Sequence, residues 1–223
     1  MKLERHLPME IEQRSFEIIS AEMGETSFHD WELPIVKRVI HTTADFDYVK
    51  NIVFTHGAAE KGIQTLREGA AIVTDTNMAK AGINKKALER LSGRVECFMA
   101  DSDVAETARK RQTTRAAVSM EKASSLKGPL IFAIGNAPTA LVKLYELMEK
   151  QIVSPALVIG VPVGFVNVVE AKELILKSDV PCIVARGRKG GSNVAAAIIN
   201  AMLYQLGREE QETAHPAGER RGR

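Results

Sequence analysis

The sequence has little cysteine, little net charge and no long apolar run. Its only cysteines, Cys97 and Cys182, lie in apolar segments without a CxxC partner. This favours two buried thiols in a reducing compartment over a disulfide framework or a zinc site. A net charge of +2 gives no general attraction to nucleic acid or to membranes. No apolar run approaches the roughly 20 residues that span a bilayer. The charged start is unlike a signal peptide, so we expect a cytoplasmic protein.

Several widespread sequence motifs are also missing. The chain has no GxGxxG dinucleotide fingerprint, no GxxxxGK[ST] phosphate loop, and neither HExxH nor GxSxG. A nucleotide-binding Rossmann enzyme is therefore disfavoured. No cluster of ligating residues predicts a metal site.

Short apolar runs alternate with helical segments from Gly69 onward. The predicted strands are AAIVTD, VECFMA, LIFAIG, ALVIGV and CIVAR. Helices are predicted at about 8–23, 33–40, 47–54, 59–68, 84–92, 103–126, 138–150, 167–177 and 192–206. The pattern predicts a single three-layer α/β/α domain over residues 1–207, with a helical N-terminal region and a mostly parallel sheet of about five strands. Residues 208–223 lack an apolar period and are expected to form a disordered polar tail.

Polar segments rich in glycine and proline follow the five predicted strands. Ligands of parallel sheets bind outside the carboxyl ends of the strands, so these segments predict a binding surface along one edge. The candidate contacts there are Thr76, Asn136, Pro138, Gly164, Phe165, Arg186, Arg188, Gly190, Gly191 and Ser192.

The segment RGRKGGSN combines glycines, a helix-capping serine and basic side chains, which favours an anion site over a solvated basic turn. GVPVGFVNVVEAKE is open to two interpretations. Its glycines fit a tight turn, whereas Phe165 fits a flat apolar ligand stacked on its ring. IGNAPTAL alone is explained as plain helix initiation.

RVIHTTADFDY, residues 38–48, places His41 at a predicted helix end. A histidine at a helix C-terminus most often stabilises the helix through a favourable interaction with the helix dipole. His56, in FTHGAAEKG, is an equally good candidate on local grounds, so the local pattern leaves a catalytic role for His41 open.

Taken together, SFEII, RVIHTTADFDY, IVTDTNMAKAGI, IGNAPTAL, GVPVGFVNVVEAKE and RGRKGGSNVAAAIINAML resemble the precorrin-8X methylmutase (precorrin isomerase) family. The resemblance extends from about Pro8 to Gly207. The TTADFDY form is more similar to the cobalt-precorrin-8 methylmutase branch.

The resemblance implies migration of a methyl group from carbon 11 to carbon 12 of a corrinoid in cobalamin biosynthesis, giving hydrogenobyrinate or cobyrinate. It implies His41 as the acid–base group, and Ser15 and Arg38 as substrate-binding residues, to which we add Arg115. A homodimer and no cofactor are expected, with any cobalt belonging to the substrate. The alternative is a corrinoid carrier without catalysis.

Overall fold

The computed structural model describes residues 8–214, which form six strands and eleven helices. The strands are β1 (Ile52–Phe54), β2 (Ala71–Thr74), β3 (Arg94–Glu96), β4 (Leu130–Ile134), β5 (Leu157–Gly160) and β6 (Cys182–Ala185). The helices are α1 (Pro8–Met23), α2 (Leu33–Thr43), α3 (Tyr48–Asn51), α4 (Ala58–Arg67), α5 (Asn77–Gly82), α6 (Lys85–Arg90), α7 (Ser102–Lys110), α8 (Arg115–Ala123), α9 (Pro138–Glu149), α10 (Val168–Leu176) and α11 (Ser192–Ala214).

The strands form one sheet in the order β1-β6-β5-β4-β2-β3. All neighbouring strands are parallel except β1, which pairs antiparallel with β6. Every residue of β2, β4, β5 and β6 is buried, as expected when helices cover both faces of a parallel sheet.

Side chains alternate between two apolar cores, one on each face of the sheet. Along β4, Ile131 and Ala133 belong to the core shared with α2, α4 and α11, whereas Phe132 and Ile134 belong to the core shared with α8, α9 and α10. The predicted three-layer α/β/α architecture is therefore confirmed.

The sheet has one strand more than the five predicted. Residues 47–54 were predicted as a helix, but only Tyr48–Asn51 is helical, and Ile52–Phe54 form the edge strand β1. The prediction was wrong there because an apolar run this short fits either structure. Pairing of Ile52 with Ala185 and of Phe54 with Ile183 selects the strand.

Two helical predictions also change, and one helix was missed. The segment 103–126 is two helices, because Thr114 caps a new helix by accepting a hydrogen bond from Ala117 N at 3.1 Å. Helix α5 was not predicted. Helix α11 continues to Ala214, beyond the predicted end near Leu206, so the backbone of 208–214 is helical rather than irregular. The rest of the predicted tail, 215–223, lies outside the described residues.

Both cysteines are free and buried, as predicted. Burial raises the pKa of the Cys182 thiol, which therefore stays protonated at neutral pH. In the described range, 8–214, no helix is both long and apolar enough to cross a membrane.

Candidate functional site

The carboxyl ends of β2 and β4 are adjacent where the strand order reverses, which is the usual ligand crevice of an open α/β sheet. Here the chain's own Asp75 fills that position. Its carboxylate accepts hydrogen bonds from the backbone N–H groups of Gly135, Asn136 and Ala137 at 2.9, 2.8 and 2.6 Å. Burial raises the pKa of Asp75, and the three amide bonds oppose that rise. The start of α9 is therefore already occupied by an internal anion.

The loop between β6 and α11 closes over the same crevice. A Cβ on Gly135 would lie 2.7 Å from both Gly191 O and Ser192 Cα, so only glycine permits this approach. The hydroxyls of Ser192 and Thr76 are 2.7 Å apart, and Thr76 also caps α5. Three strand-end segments predicted to share one edge are thus brought into contact.

The basic residues of this loop, residues 186–192, are engaged in different ways. Arg186 forms a two-point ion pair with Glu173 of α10, at 3.0 and 3.1 Å. Lys189 donates to Asp45 and Asp47, at 2.6 Å each, and these bonds raise the pKa of Lys189. Arg188 forms no ion pair with any carboxylate in the described part of the chain, which leaves its guanidinium free for an external anion.

Arg188 lies over an exposed aromatic ring. Its guanidinium carbon is 5.4 Å from the centre of the Phe165 ring, and Phe165 is 81% exposed. Gly164 N donates to the carbonyl of Arg188 at 3.1 Å, so the turn after β5 and the 186–192 loop are joined. The cation and the flat ring together form a surface suited to a planar, anionic ligand.

The two aspartates that bind Lys189 follow the C-terminus of α2. Their ion pairs therefore fasten the 186–192 loop beside the helix end that carries His41. Because Asp45 and Lys189 are 144 residues apart in sequence, only the tertiary fold brings these two predicted motifs together.

His41 lies in the last turn of α2, and its side chain is exposed. Its imidazole stacks on the ring of Phe16 from α1, with the ring centres 5.1 Å apart and the planes at 19°. This contact restricts the orientation of the imidazole while its edge stays accessible. His56 is also exposed, but it lies in the turn before α4 and no aromatic ring stacks on it in the described range.

Arg38 lies one turn before His41 and is held from several sides. It forms an ion pair with Glu12 at 2.8 Å. Its guanidinium carbon is 4.7 Å from the Phe16 ring centre and 5.0 Å from that of Tyr204. A guanidinium has five N–H donors, so Arg38 retains donors for a second carboxylate.

Within residues 8–214, the structure does not bring Ser15, Arg115 or Pro138 into contact with His41 or Arg188. Ser15 is on α1, where its hydroxyl donates to Ile11 O at 2.8 Å. Arg115 begins α8 and is exposed, with its guanidinium 3.5 Å from Met99 O. Pro138 begins α9, and Thr139 accepts a hydrogen bond from Thr114, which joins the starts of α8 and α9. No contact in the described range joins Arg115 to the His41 cluster.

A groove of about 890 Å³ lies between α1, α2 and α11. Its lining includes Glu12, Phe16, Lys37, Arg38, Tyr204 and Arg208. Phe16 and Arg38 connect it to His41, and its size is typical of small-molecule sites. The groove was not predicted, since its walls come from three helices far apart in sequence.

The predicted contacts did not include several residues that organise the site, namely Glu12, Phe16, Asp75 and Tyr204. Of these, Asp75 carried a usable signal, because it immediately follows a buried strand. The others are ordinary residues of amphipathic helices, and only their contacts distinguish them.

A three-layer α/β fold with an accessible histidine, arginines and an exposed aromatic ring at one edge has the features of an enzyme, and its surface is suited to a small anionic ligand. The profile of the precorrin-8X methylmutase family matches residues 10–205. The cobalt-precorrin-8 methylmutase of Priestia megaterium is 46% identical, with 87% of each chain covered. That of Salmonella typhimurium is 45% identical, covering 89% of this chain and 96% of the relative. A crystal structure of precorrin-8X methylmutase from Thermus thermophilus superposes with a TM-score of 0.82 at 39% identity, covering 90% of this chain and 97% of that one.

The chain belongs to the precorrin-8X methylmutase family. Methylmutases are isomerases that move a methyl group within one molecule. The protein is therefore an isomerase of cobalamin biosynthesis.

Proposed function

We propose that the protein moves a methyl group from carbon 11 to carbon 12 of a corrinoid ring, with His41 as the acid–base group. The bond from carbon 11 to the methyl group breaks and a bond from carbon 12 forms, so substrate and product are isomers. A proton lent to the ring is returned, and no oxidant or reductant is consumed. We therefore propose that the reaction needs no cofactor.

The observation that carries this proposal is the setting of His41. Its imidazole is exposed, is oriented by Phe16 and lies one helical turn from Arg38. Imidazole can give and retake a proton near neutral pH, and protonation of the macrocycle would promote the electron redistribution that a methyl shift requires.

We propose that the substrate's acetate and propionate arms bind the arginines on either side of His41. Arg38 and Ser15 would hold one side, next to the groove between α1, α2 and α11. Arg188 and the glycine-rich start of α11 would hold another arm, with Phe165 against the flat ring. The Lys189 ion pairs support this arrangement, since they fix the 186–192 loop beside α2.

Cobalt-precorrin-8 is the substrate we favour over metal-free precorrin-8X. Relatives named for the cobalt form range from 36% to 46% identity to this chain, and the Pseudomonas aeruginosa precorrin-8X methylmutase is 37% identical, so the support comes from the upper end of that range. Within residues 8–214, no group of three or more His, Cys, Asp or Glu residues could hold a metal ion. We propose that any cobalt arrives as part of the substrate.

We also propose that the protein works in the cytoplasm as a homodimer. Ile11 and Ile18 on α1 are 53% and 45% exposed, and a second copy would cover such side chains. Light scattering of the purified protein should give about twice the chain mass of 24.4 kDa. A monomer that is fully active would contradict the dimer.

Turnover distinguishes the enzyme from a corrinoid carrier. Purified protein is mixed with a tenfold excess of cobalt-loaded or metal-free substrate, and the absorption spectrum is followed. Conversion of the whole pool is expected, faster with the cobalt form. A spectral change limited to one equivalent of protein would instead support the carrier.

A further inference from the structure

Lys172, on α10, is a charged residue in an apolar setting. Its side chain is 0% exposed, and no carboxylate in the described part of the chain forms an ion pair with it. Burial lowers the pKa of Lys172 to about 8. Burying an ammonium group without a counter-ion costs free energy, so the presence of a lysine at this position requires an explanation.

Both of those contacts are with the 186–192 loop. Lys172 Nζ donates to Gly187 O and to Lys189 O, at 2.8 Å each. The carbonyl between them, Arg188 O, accepts from Gly164 N at 3.1 Å. Three consecutive loop carbonyls are thus held from beneath by the segment that follows β5.

The loop needs such restraint because of its composition. Gly187 has a φ of +77°, a conformation that glycine adopts readily, and Gly190 lies so close to the Val161 carbonyl that a Cβ would overlap it. A free glycine-rich segment would sample many conformations, and fixing it on binding would reduce affinity. With the carbonyls held inward, the Arg188 side chain is directed outward over Phe165.

We propose that Lys172 is a positioning residue that holds the 186–192 loop in the conformation presenting Arg188 to a substrate carboxylate. This rests on the proposed corrinoid-binding function. The buried ammonium group also lies beneath a loop that receives an anion, where its charge strengthens the attraction. Lys172 itself does not touch the substrate.

The primary test is Lys172→Met, which keeps the apolar stem and removes the donors. KM for the corrinoid should rise about tenfold, which is the effect of losing one hydrogen bond between Arg188 and a substrate carboxylate. The value of kcat should stay within about threefold of the parent. Amide hydrogen exchange in 186–192 should accelerate without ligand.

Lys172→Arg keeps donors and should recover most of the affinity. Lys177→Met is the matched control, since it makes the same substitution at an exposed lysine at the end of α10 and leaves the loop carbonyls bound, so KM should stay within about twofold.

A double-mutant cycle tests whether Lys172 affects binding through Arg188. If Lys172 acts through Arg188, Lys172→Met combined with Arg188→Ala should bind product no more weakly than Arg188→Ala alone. Additive losses would overturn the proposal. The proposal would also be overturned if Lys172→Met had the parental KM and the parental exchange rate in the loop. It would be overturned as well if exchange rose throughout the protein while KM increased and kcat fell together, since that would indicate general destabilisation. Should Lys172→Met not fold, the same cycle is run with Lys172→Gln.

The binding and exchange measurements do not require turnover. A parent protein that binds corrinoid without converting it would refute the methyl shift while still testing the role of Lys172.

Discussion

At the scale of single residues, the site contains few groups free to act on a ligand. Asp75, Arg186 and Lys189 are polar groups at the sheet edge, yet each is bound to another part of the chain. His41 and Arg188 are held mainly by aromatic rings, which leaves their N–H groups accessible. These two residues are therefore where substitution should affect function most and stability least.

His41→Asn should remove most turnover while substrate and product still bind. General acid–base groups typically contribute about a hundred- to ten-thousandfold in rate, and the arginine contacts remain in place. His56→Asn is the matched control. Asparagine tolerates the positive φ of 51° at that position, and the variant should turn over like the parent. The measurement is single-turnover absorption spectroscopy. A near-parental kcat in His41→Asn would show that His41 is not the acid–base group.

Arg188→Ala should weaken corrinoid binding by about ten- to a hundredfold with little change in melting temperature. A hydrogen bond to a charged group is worth about 1.5–3 kcal/mol, and this side chain forms no ion pair within the described range. Arg186→Ala should have a smaller effect, since its guanidinium is already bound to Glu173. Titration of product into both variants measures the difference. Equal losses would mean that both arginines contact the ligand.

At the scale of elements, the strand-end loops are organised by buried charges of opposite sign. Asp75 binds amide N–H groups of the segment before α9, and Lys172 binds carbonyls of the segment before α11. Each loop is thus fixed through the backbone groups it turns inward. The sheet supplies the positions, and the charges select one loop conformation.

Asp75→Asn should lower the free energy of unfolding by about 1–3 kcal/mol. Its amide nitrogen cannot accept a hydrogen bond, so at least one N–H among residues 135–137 loses its partner in a buried place. Urea denaturation gives the value. Asp179→Asn, at an exposed position, is the control and should be within about 0.5 kcal/mol of the parent. If Asp75→Asn left the free energy of unfolding unchanged, a water molecule would be replacing the lost acceptor.

At the scale of the whole molecule, Lys172 should make stability depend on pH. The pKa of Lys172 is about 8 in the folded chain, below its ordinary value of 10.5. Between those values the unfolded chain binds more protons, so the free energy of unfolding rises with pH. The rise from this group should total up to about 3 kcal/mol, and it should be absent in Lys172→Met. Urea titrations from pH 7 to 10 compare the two proteins. Identical slopes would exclude a lowered pKa.

Truncation after Arg208 should leave the fold intact. Among the α11 side chains that the structure describes, which end at Arg208, Leu206 is the last that is buried, and Arg208, which lines the groove, is kept in the shortened protein. Removal of residues 209–223 should change the melting temperature by less than about 3 °C, because 1 kcal/mol corresponds to about 2–4 °C in a chain of this size. A larger drop, measured by calorimetry, would indicate that residues beyond 208 pack against the domain.

The sequence by itself determined the features that depend on local chemistry. Buried parallel strands are continuous apolar runs, so β2, β4, β5 and β6 were recognisable, and the polar segments after them indicated the functional edge. The predicted strand VECFMA was placed too late, because β3 is the short, partly exposed Arg94–Glu96. The edge strand β1 was not recognisable, because three apolar residues acquire a strand conformation only by pairing with β6. The reaction class came from the resemblance of the motifs around His41 and Arg188 to a known family, because their local chemistry alone left a catalytic role for His41 open.

Only the tertiary structure decided which charged groups remain free. RGRKGGSN contains three basic residues that are alike in sequence, yet Arg186 is bound to Glu173, Lys189 to Asp45 and Asp47, and Arg188 to a ring. Charged side chains pair with whatever the fold brings within a few ångströms, and here those partners lie between 13 and 144 residues away along the chain. Sequence spacing carries no information about such pairs, because they depend on how helices and loops pack across the sheet.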